Sequence, residues 1–325
     1  MTLPDASAPL SADAARTAFD AMLDGTVSDE ATRDFLLAMS LRDETAVEIA
    51  AAITAIRTRM IPVTAPEGAI DVCGTGGDMS NSVNVSTAVA IVVAACGVPV
   101  AKHGNRAASS QAGGADTLEA LGLDLNRASA TAEATLADLG IAFLFAQKHH
   151  PALARLAPIR KSIQRRTIFN LTGPACNPAR VTRQLIGVAR PDFLPIYAEA
   201  LTLLGMADAM LVAGHEPLDE LSVGGPSTVL RLGQPPVEIT PEDVGVARHP
   251  LVALRGGDAA FNAAALRRML LGEAGAYRDA VLFNAAGALM VAGYVSDWSE
   301  GIEEVGEVID RGLANTLLDC WIAYR

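Results

Sequence analysis

Hydrophobic positions recur along this chain in two rhythms. Over the first sixty residues they fall three or four apart: Phe19, Met22 and Leu23, then Phe35, Leu36 and Met39. Ser11 and Gly25 bracket the first stripe, and Ser28 followed by Asp29 and Glu30 precedes the second. The pattern predicts a helix between Ser11 and Gly25, another opening at Ser28, and a third from about Glu44 to Met60 that Pro62 and Pro66 stop. From Ala69 the rhythm changes. Short apolar runs ("AIDVC", "VPVA", "IAFLF", "QLIGVA", "AMLVAG") alternate with stretches of helical period at about 86–96 and 192–204 and with two ending at Gly122 and Gly140. Such alternation predicts an α/β fold with a mostly parallel central sheet flanked by helices. The Pro- and Glu-containing stretch 232–245 is expected as a loop or edge hairpin.

The polar segments that follow three of these strands carry the candidate chemistry, because ligands of open parallel sheets bind beyond the carboxyl ends of strands. "GTGGD" follows "AIDVC", "KHGNRAASS" follows "VPVA", and "GHEPLDE" follows "AMLVAG". Three glycines, Gly74, Gly76 and Gly77, let backbone N–H groups approach a phosphate, and Ser86 and Thr87 open the next helix, whose N-terminus favours an anion. There is no GxxxxGK[ST] sequence, so a nucleotide P-loop is excluded. Lys102 and Arg106 add positive charge; Asn105, Ser109 and Ser110 add neutral hydrogen bonds. Asp219 and Glu220 are the oxygen ligands a hard cation accepts. No HExxH, GxSxG or CxxC occurs, which removes zinc hydrolysis and Ser or Cys nucleophilic catalysis.

Composition changes this picture in two places. The net charge of −12 disfavours a nucleic-acid partner. Within that acidic chain, residues 146–166 hold six Lys/Arg and no carboxylate, whereas residues 1–50 hold ten carboxylates and three arginines. The basic segment suggests a port for a small anion, with a solvated helix face as the plainer alternative. No apolar run reaches the length of a membrane span, and no secretory leader is visible, so a cytoplasmic protein with no membrane contact is expected. Cys73, Cys96, Cys176 and Cys320 are widely spaced and are expected to be buried thiols. The helical unit is too small to bury Phe19, Met22, Phe35 and Met39 by itself, which predicts that a second copy covers them.

Taken in order, "GTGGD", "NVST", "KHGNRAASSQAGGADTLEALG", "HHPALARLAPIR", "RTIFNLTGPACNPA", "LDE" and "LRGGDAAFNAAA" resemble the anthranilate phosphoribosyltransferase family over about residues 11–320. The resemblance implies a helical domain (1–68 plus a middle segment of about 152–180) joined to an α/β domain (69–325) and a homodimer through the helical domains. It implies transfer of a phosphoribosyl group from phosphoribosyl diphosphate to anthranilate, with Mg²⁺, two ions per subunit, as cofactor. Phosphoribosyl diphosphate would be held by Gly74, Gly76, Gly77, Asp78, Asn84, Ser86, Thr87, Lys102, Asn105, Arg106, Ala108, Ser109 and Ser110. Anthranilate would meet Gly74, His103, Asn105, His150, Arg160 and Gly173, with Arg160 near its carboxylate. Ser86, Asp219 and Glu220 would be metal ligands. No residue is cast as a catalytic acid or base, because an aryl amine is already a neutral nucleophile and positioning can suffice.

Five positions depart from the commonest family pattern. Glu216-Pro217 stands where Asp-Gly is usual, Gln147 where proline is frequent, Gln164 where glycine is frequent, and Arg231 where an acidic residue often sits. Two rival readings share the architecture: a pyrimidine nucleoside phosphorylase and a non-catalytic nucleic-acid-binding relative. Phosphate-dependent release of a base from thymidine would favour the former, and retention on heparin or single-stranded DNA the latter.

Overall fold

The computed structural model describes residues 2–107, 111–216 and 218–325. Its sheet strands are β1 (Asp71–Gly74), β2 (Val100–Gly104), β3 (Ile141–Phe145), β4 (Arg183–Gly187), β5 (Asp208–Gly214), β6 (Ser227–Arg231) and β7 (Val237–Ile239). β1, β4 and β5 are parallel, in the order β1-β4-β5, and β6 and β7 extend that sheet antiparallel. β2 and β3 form a parallel pair that meets the larger sheet at the Ile70–Val100 bridge. The antiparallel edge accounts for the 232–245 excursion: β7 folds back on β6, and a 3₁₀ turn at Pro241–Val244 follows.

Alternate residues of the central strands enter two cores. Leu185, Met210 and Val212 face the helices Val85–Ala95, Ala276–Ala292, Trp298–Asp310 and Leu313–Ala323. Ile186, Leu211 and Ala213 face the helix Leu194–Leu203 and, beyond it, the N-terminal helices. Period-two alternation under helices on both faces is what buried parallel strands require.

The N-terminal helices span Ala12–Asp24, Asp29–Leu41 and Ala46–Arg57. Their ends follow from their caps. The hydroxyls of Ser11 and Ser28 accept from Ala14 and Ala31, Gly25 closes the first helix at φ 71°, and Thr45 with Glu48 forms a capping box. The reason given above for a second copy does not hold. Phe19, Met22, Phe35 and Met39 are at most 5% exposed within one chain. They are covered by their own three helices together with Leu156, Ile159, Ile168, Phe169 and Tyr197, so the single chain buries the stripes.

The basic segment also differs from expectation. Arg155 pairs with Asp29 at 3.1 Å, Arg166 with Glu44 at 2.9 Å, and Arg165 donates to the Ser40 carbonyl at 3.1 Å. Most of its arginines therefore fasten the acidic N-terminal helices rather than admit an anion. Cys96 and Cys176 are buried, whereas Cys320 is exposed on the last helix, contrary to the expectation for it.

Candidate active site

β1 and β2 run side by side at their start and then part. Beyond the Ile70–Val100 bridge, the Asp71 carboxylate takes the His103 N–H at 3.1 Å, where a strand carbonyl would otherwise accept. The Asn177 amide inserts alongside, donating to Asp71 at 2.8 Å and to the Ala101 carbonyl at 2.7 Å. The parting of the strands opens a cleft of about 310 Å³, lined by the loop after β1, by β2 and its loop, and by Asp219 and Glu220. All three polar segments singled out in the sequence meet there.

The glycine loop turns through left-handed backbone at Gly76 (φ 69°) and Gly77 (φ 80°), and even Met79 and Asn81 adopt positive φ. Its far side is tied down, with Val83 N–H to the Leu254 carbonyl and Gly256 N–H to the Asn81 carbonyl, both at 2.8 Å. Asn84 serves as a hub. Its side-chain oxygen accepts from Asn262 at 3.0 Å and from the Thr117 hydroxyl, and its amide donates to the Ala112 carbonyl at 3.1 Å. No side chain caps the Val85–Ala95 helix, whose first turn carries Ser86 and Thr87 into the cleft wall.

Gly74 has a different task from Gly76 and Gly77. A Cβ there would lie 2.1 Å from an Asp219 carboxylate oxygen, and a Cβ on Gly187 would lie 1.5 Å from the Asp219 carbonyl. The ends of β1 and β4 are bare so that the Asp219 turn can descend onto the sheet. There Asp219 accepts from Gly76 N–H at 2.7 Å, and its own N–H points to Asp78 at 3.4 Å. Gly187 escaped the sequence reading, although a glycine inside an apolar run is itself a signal of close backbone approach.

Burial, reinforced by the charge of Asp78, pushes the Asp219 carboxyl up to about 7. Burial and then the charges of Asp219 and Asp78 push Glu220 well above the usual carboxylate range, against the pull of Ser86 N–H and Lys102. Three crowded carboxylates facing one ammonium are a donor set suited to a hard divalent cation, which prefers anionic oxygen and retains waters. Among the described residues no three His, Cys, Asp or Glu side chains cage an ion by themselves, so such an ion would need further oxygens from elsewhere.

Lys102 is 4% exposed and points from β2 into the cleft wall, donating to the Val72 carbonyl at 2.9 Å and the Ser86 hydroxyl at 3.3 Å. Arg106 differs from it. Its guanidinium pairs with Asp116 at 2.7 Å and also with Glu119, and its carbon lies 5.6 Å from the Phe145 ring centre, so its charge is already matched. Asn105 lines the cleft, its oxygen accepting from Arg106 N–H at 2.8 Å and more distantly from Gln147 at 3.4 Å. Ala108, Ser109 and Ser110 lie outside the described residues, as does Pro217.

A second arm leads away from His103. The His103 Nδ1 lies 3.1 Å from the Gly173 carbonyl, and its Nε2 lies 3.2 Å from Nε2 of His150. A carbonyl only accepts, so Nδ1 of His103 carries the hydrogen and a neutral ring presents a bare Nε2 to the N–H of His150. Burial, with the neighbouring His150, holds His103 down to about 3; burial, with His149, holds His150 down to about 4. Both rings are neutral near pH 7, and both nitrogens of His103 are engaged. Four residues before Gly173, Phe169 lies beneath Arg160, whose guanidinium carbon is 5.7 Å from the ring centre. Burial lowers the Arg160 pKa, and among the described residues it has no hydrogen-bond or ion-pair partner through its side chain. His150, Arg160 and Gly173 do not line the cleft itself; His103, which does, contacts His150 and the Gly173 carbonyl.

The departures have structural accounts. Gln164 ends the helix Ala157–Ile163 at φ 54°, left-handed backbone that favours glycine. Arg231 forks onto Asp208, with contacts of 2.6 and 3.2 Å. The Glu216 carboxylate accepts from the Ser222 hydroxyl at 2.7 Å and sits over Gly224 and Gly225.

Comparison with known proteins agrees with this geometry. Residues 66–315 match the model of the glycosyl transferase family a/b domain, and residues 6–60 match that family's helical bundle domain. The anthranilate phosphoribosyltransferase of Novosphingobium aromaticivorans is 60% identical over 324 residues, covering 99% of this chain and 98% of that protein. The crystal structure of anthranilate phosphoribosyltransferase from Thermus thermophilus superposes with a TM-score of 0.92 at 41% identity, covering 98% of this chain and 99% of that one. The Saccharomyces cerevisiae enzyme in complex with PRPP and Mg superposes with a TM-score of 0.89 at 29% identity, covering 97% and 93%.

Proposed function

From membership of the anthranilate phosphoribosyltransferase family, to which this chain belongs, we propose that it transfers the 5-phosphoribosyl group of phosphoribosyl diphosphate to anthranilate. The nitrogen–C1 bond forms, the C1–oxygen bond to diphosphate breaks with its electron pair leaving on pyrophosphate, and the amine nitrogen releases one proton. The observation that carries this reading is the meeting, in one cleft, of the glycine loop, Lys102 and the Asp219–Glu220 pair.

Backbone N–H groups of the 74–77 loop and of the Val85–Ala95 helix N-terminus, with Asp78, Asn84, Ser86, Thr87 and Lys102, hold the diphosphate sugar. The 105–110 segment continues that contact. Arg106 reaches the substrate only by leaving Asp116 and Glu119, and the Asn84 side chain acts chiefly by holding the loop in shape. Asp219, Glu220 and Ser86 would hold Mg²⁺, in two ions, close to the diphosphate. When bound, Mg²⁺ neutralises charge on the leaving diphosphate. Anthranilate lies along the His103 arm, with Gly74, Asn105, His150 and Gly173 framing it and Arg160 forking onto its carboxylate. The engaged, neutral His103 supplies shape and one fixed tautomer rather than a base, and catalysis rests on positioning.

No helix among the described residues is long and apolar enough to cross a membrane. We place the protein in the cytoplasm, acting as a homodimer through its helical domains on the family's pattern. Light scattering at micromolar concentration should give twice the 33.7 kDa chain mass; the monomer mass would remove the dimer. The reaction is tested by mixing protein, anthranilate, phosphoribosyl diphosphate and Mg²⁺ and following anthranilate fluorescence. Its loss only in the complete mixture is expected, and persistence with folded protein would refute the assignment.

A further inference from the structure

The turn bearing Asp219 and Glu220 leaves the sheet after β5, and its backbone has little strand pairing to hold it beyond the Gly214–Leu218 bridge. It also carries two adjacent carboxyl groups beside a third, whose charges repel one another whenever they are ionised together. Something must hold Glu220 in place. The residue after it, Leu221, provides the handle. Asn284, 3% exposed on the helix Ala276–Ala292, accepts from Leu221 N–H at 2.9 Å and donates to the Leu221 carbonyl at 3.0 Å. Its second amide hydrogen goes to the Ala280 carbonyl one turn back, at 2.9 Å, which locks the orientation of the side chain. One primary amide thus satisfies both polar groups of the Leu221 backbone, as a neighbouring strand would.

An isolated asparagine facing a hydrophobic core is costly unless it is fully bonded, and here it is. Asn284 also borders, together with Ser86, Asp219 and Glu220, the small space beneath the carboxylates. We propose that Asn284 is a positioning residue that fixes Glu220, through the Leu221 backbone, in the place from which it ligates a divalent cation. The proposal rests on the assignment of Asp219 and Glu220 as metal ligands. It gives Asn284 no contact with substrate and no part in bond making.

The test uses the full-length protein with phosphoribosyl diphosphate and Mn²⁺, free Mn²⁺ being counted by electron paramagnetic resonance. Two variants are compared: Asn284→Ala, which removes both bonds to Leu221, and Asn284→Ser, whose hydroxyl can serve one of them. Mutations in the shell behind metal ligands typically weaken metal affinity by about 10- to 100-fold. Asn284→Ala should fall in that range and Asn284→Ser between it and wild type, while the KM for anthranilate stays unchanged. If Asn284→Ala does not fold, the Ser variant alone must show weakened Mn²⁺ binding. Folded variants with wild-type Mn²⁺ affinity, or equal loss of Mn²⁺ and anthranilate affinity, would overturn the proposal. So would failure of both variants to fold, which would make Asn284 a folding residue. Asp219→Asn/Glu220→Gln in the same titration separates the two claims: if it binds Mn²⁺ as wild type does, the ligand assignment itself fails, whereas if it alone loses Mn²⁺, only the Asn284 role fails.

Discussion

Asp219 and Glu220 lie half-buried beside Asp78 and Lys102, whereas His103 on the cleft wall and its partner His150 are neutral rings joined nitrogen to nitrogen. Arg160, half-buried against the Phe169 ring, has no ion-pair partner among the described residues. One arm gathers three acidic groups whose ionisation a bound cation would favour, and the other holds an arginine unpaired among the described residues. The difference fits two substrates of different charge. A diphosphate carries too much negative charge for a direct contact with carboxylates, so on the proposed assignment a cation and backbone amides would meet it there. On the proposed assignment, an aromatic monocarboxylate takes one fork and a neutral wall, which Arg160 and the depressed imidazoles would supply.

The largest effect should come from attacking the negative arm. Asp219→Asn with Glu220→Gln keeps size but removes the anionic oxygens, and turnover should fall on the order of 10²- to 10³-fold, the several kcal/mol a metal supplies. Folding should survive, since mutual repulsion is relieved; wild-type turnover at limiting Mg²⁺ would reduce the pair to a solvated turn.

The neutral arm should show itself in acid. The folded values of His103 and His150, about 3 and about 4, lie below the 6.5 of a free imidazole, so between those limits the unfolded chain binds more protons. Stability from these rings is complete above pH 6.5 and is lost as pH falls towards 4, each unmatched proton contributing about 1.4 kcal/mol per pH unit. Urea midpoints for wild type and His150→Gln across pH 4–7 check this, with the variant expected to have the shallower slope. Identical slopes would mean that His150 is protonated in the folded protein. The smallest effect lies beneath the aromatic arm, at the end of the Arg160 helix. Gln164→Gly relieves a left-handed side chain (about 1–2 kcal/mol) and loosens the unfolded chain (about 0.5–1 kcal/mol), a net gain of roughly 0.5–1 kcal/mol. An unchanged melting temperature would show that the backbone at 164 is not strained.

The sequence made the phosphate arm far more legible than the aromatic one. Loops that follow strands in an alternating pattern must share a rim, so the meeting of the 74–78, 102–106 and 219–220 segments could be argued from order alone. What order cannot supply is which charges are already answered. Arg106, Arg155, Arg165 and Arg166 look equivalent to Lys102 and Arg160 in the chain, yet all four are bonded within the protein. Nor could spacing show that the stripes of Phe19 and Met39 are covered by Tyr197 and its neighbours, more than 150 residues later. Gly187, Asn177 and Asn284 were missed for a related reason: each answers a backbone or carboxylate from a distant segment, and only the folded chain displays the partner.

The central claim is that the two arms hold different substrates by separate means, and Arg160→Ala tests it most directly. Both substrates are titrated against the folded variant, with Mg²⁺ constant. Losing a charged hydrogen bond costs about 1.5–3 kcal/mol, so the KM for anthranilate should rise on the order of 10- to 150-fold. The dissociation constant for phosphoribosyl diphosphate, which the proposal assigns to the glycine loop and Lys102, should stay within about twofold of wild type. Equal weakening of both substrates, or of neither, would contradict the account.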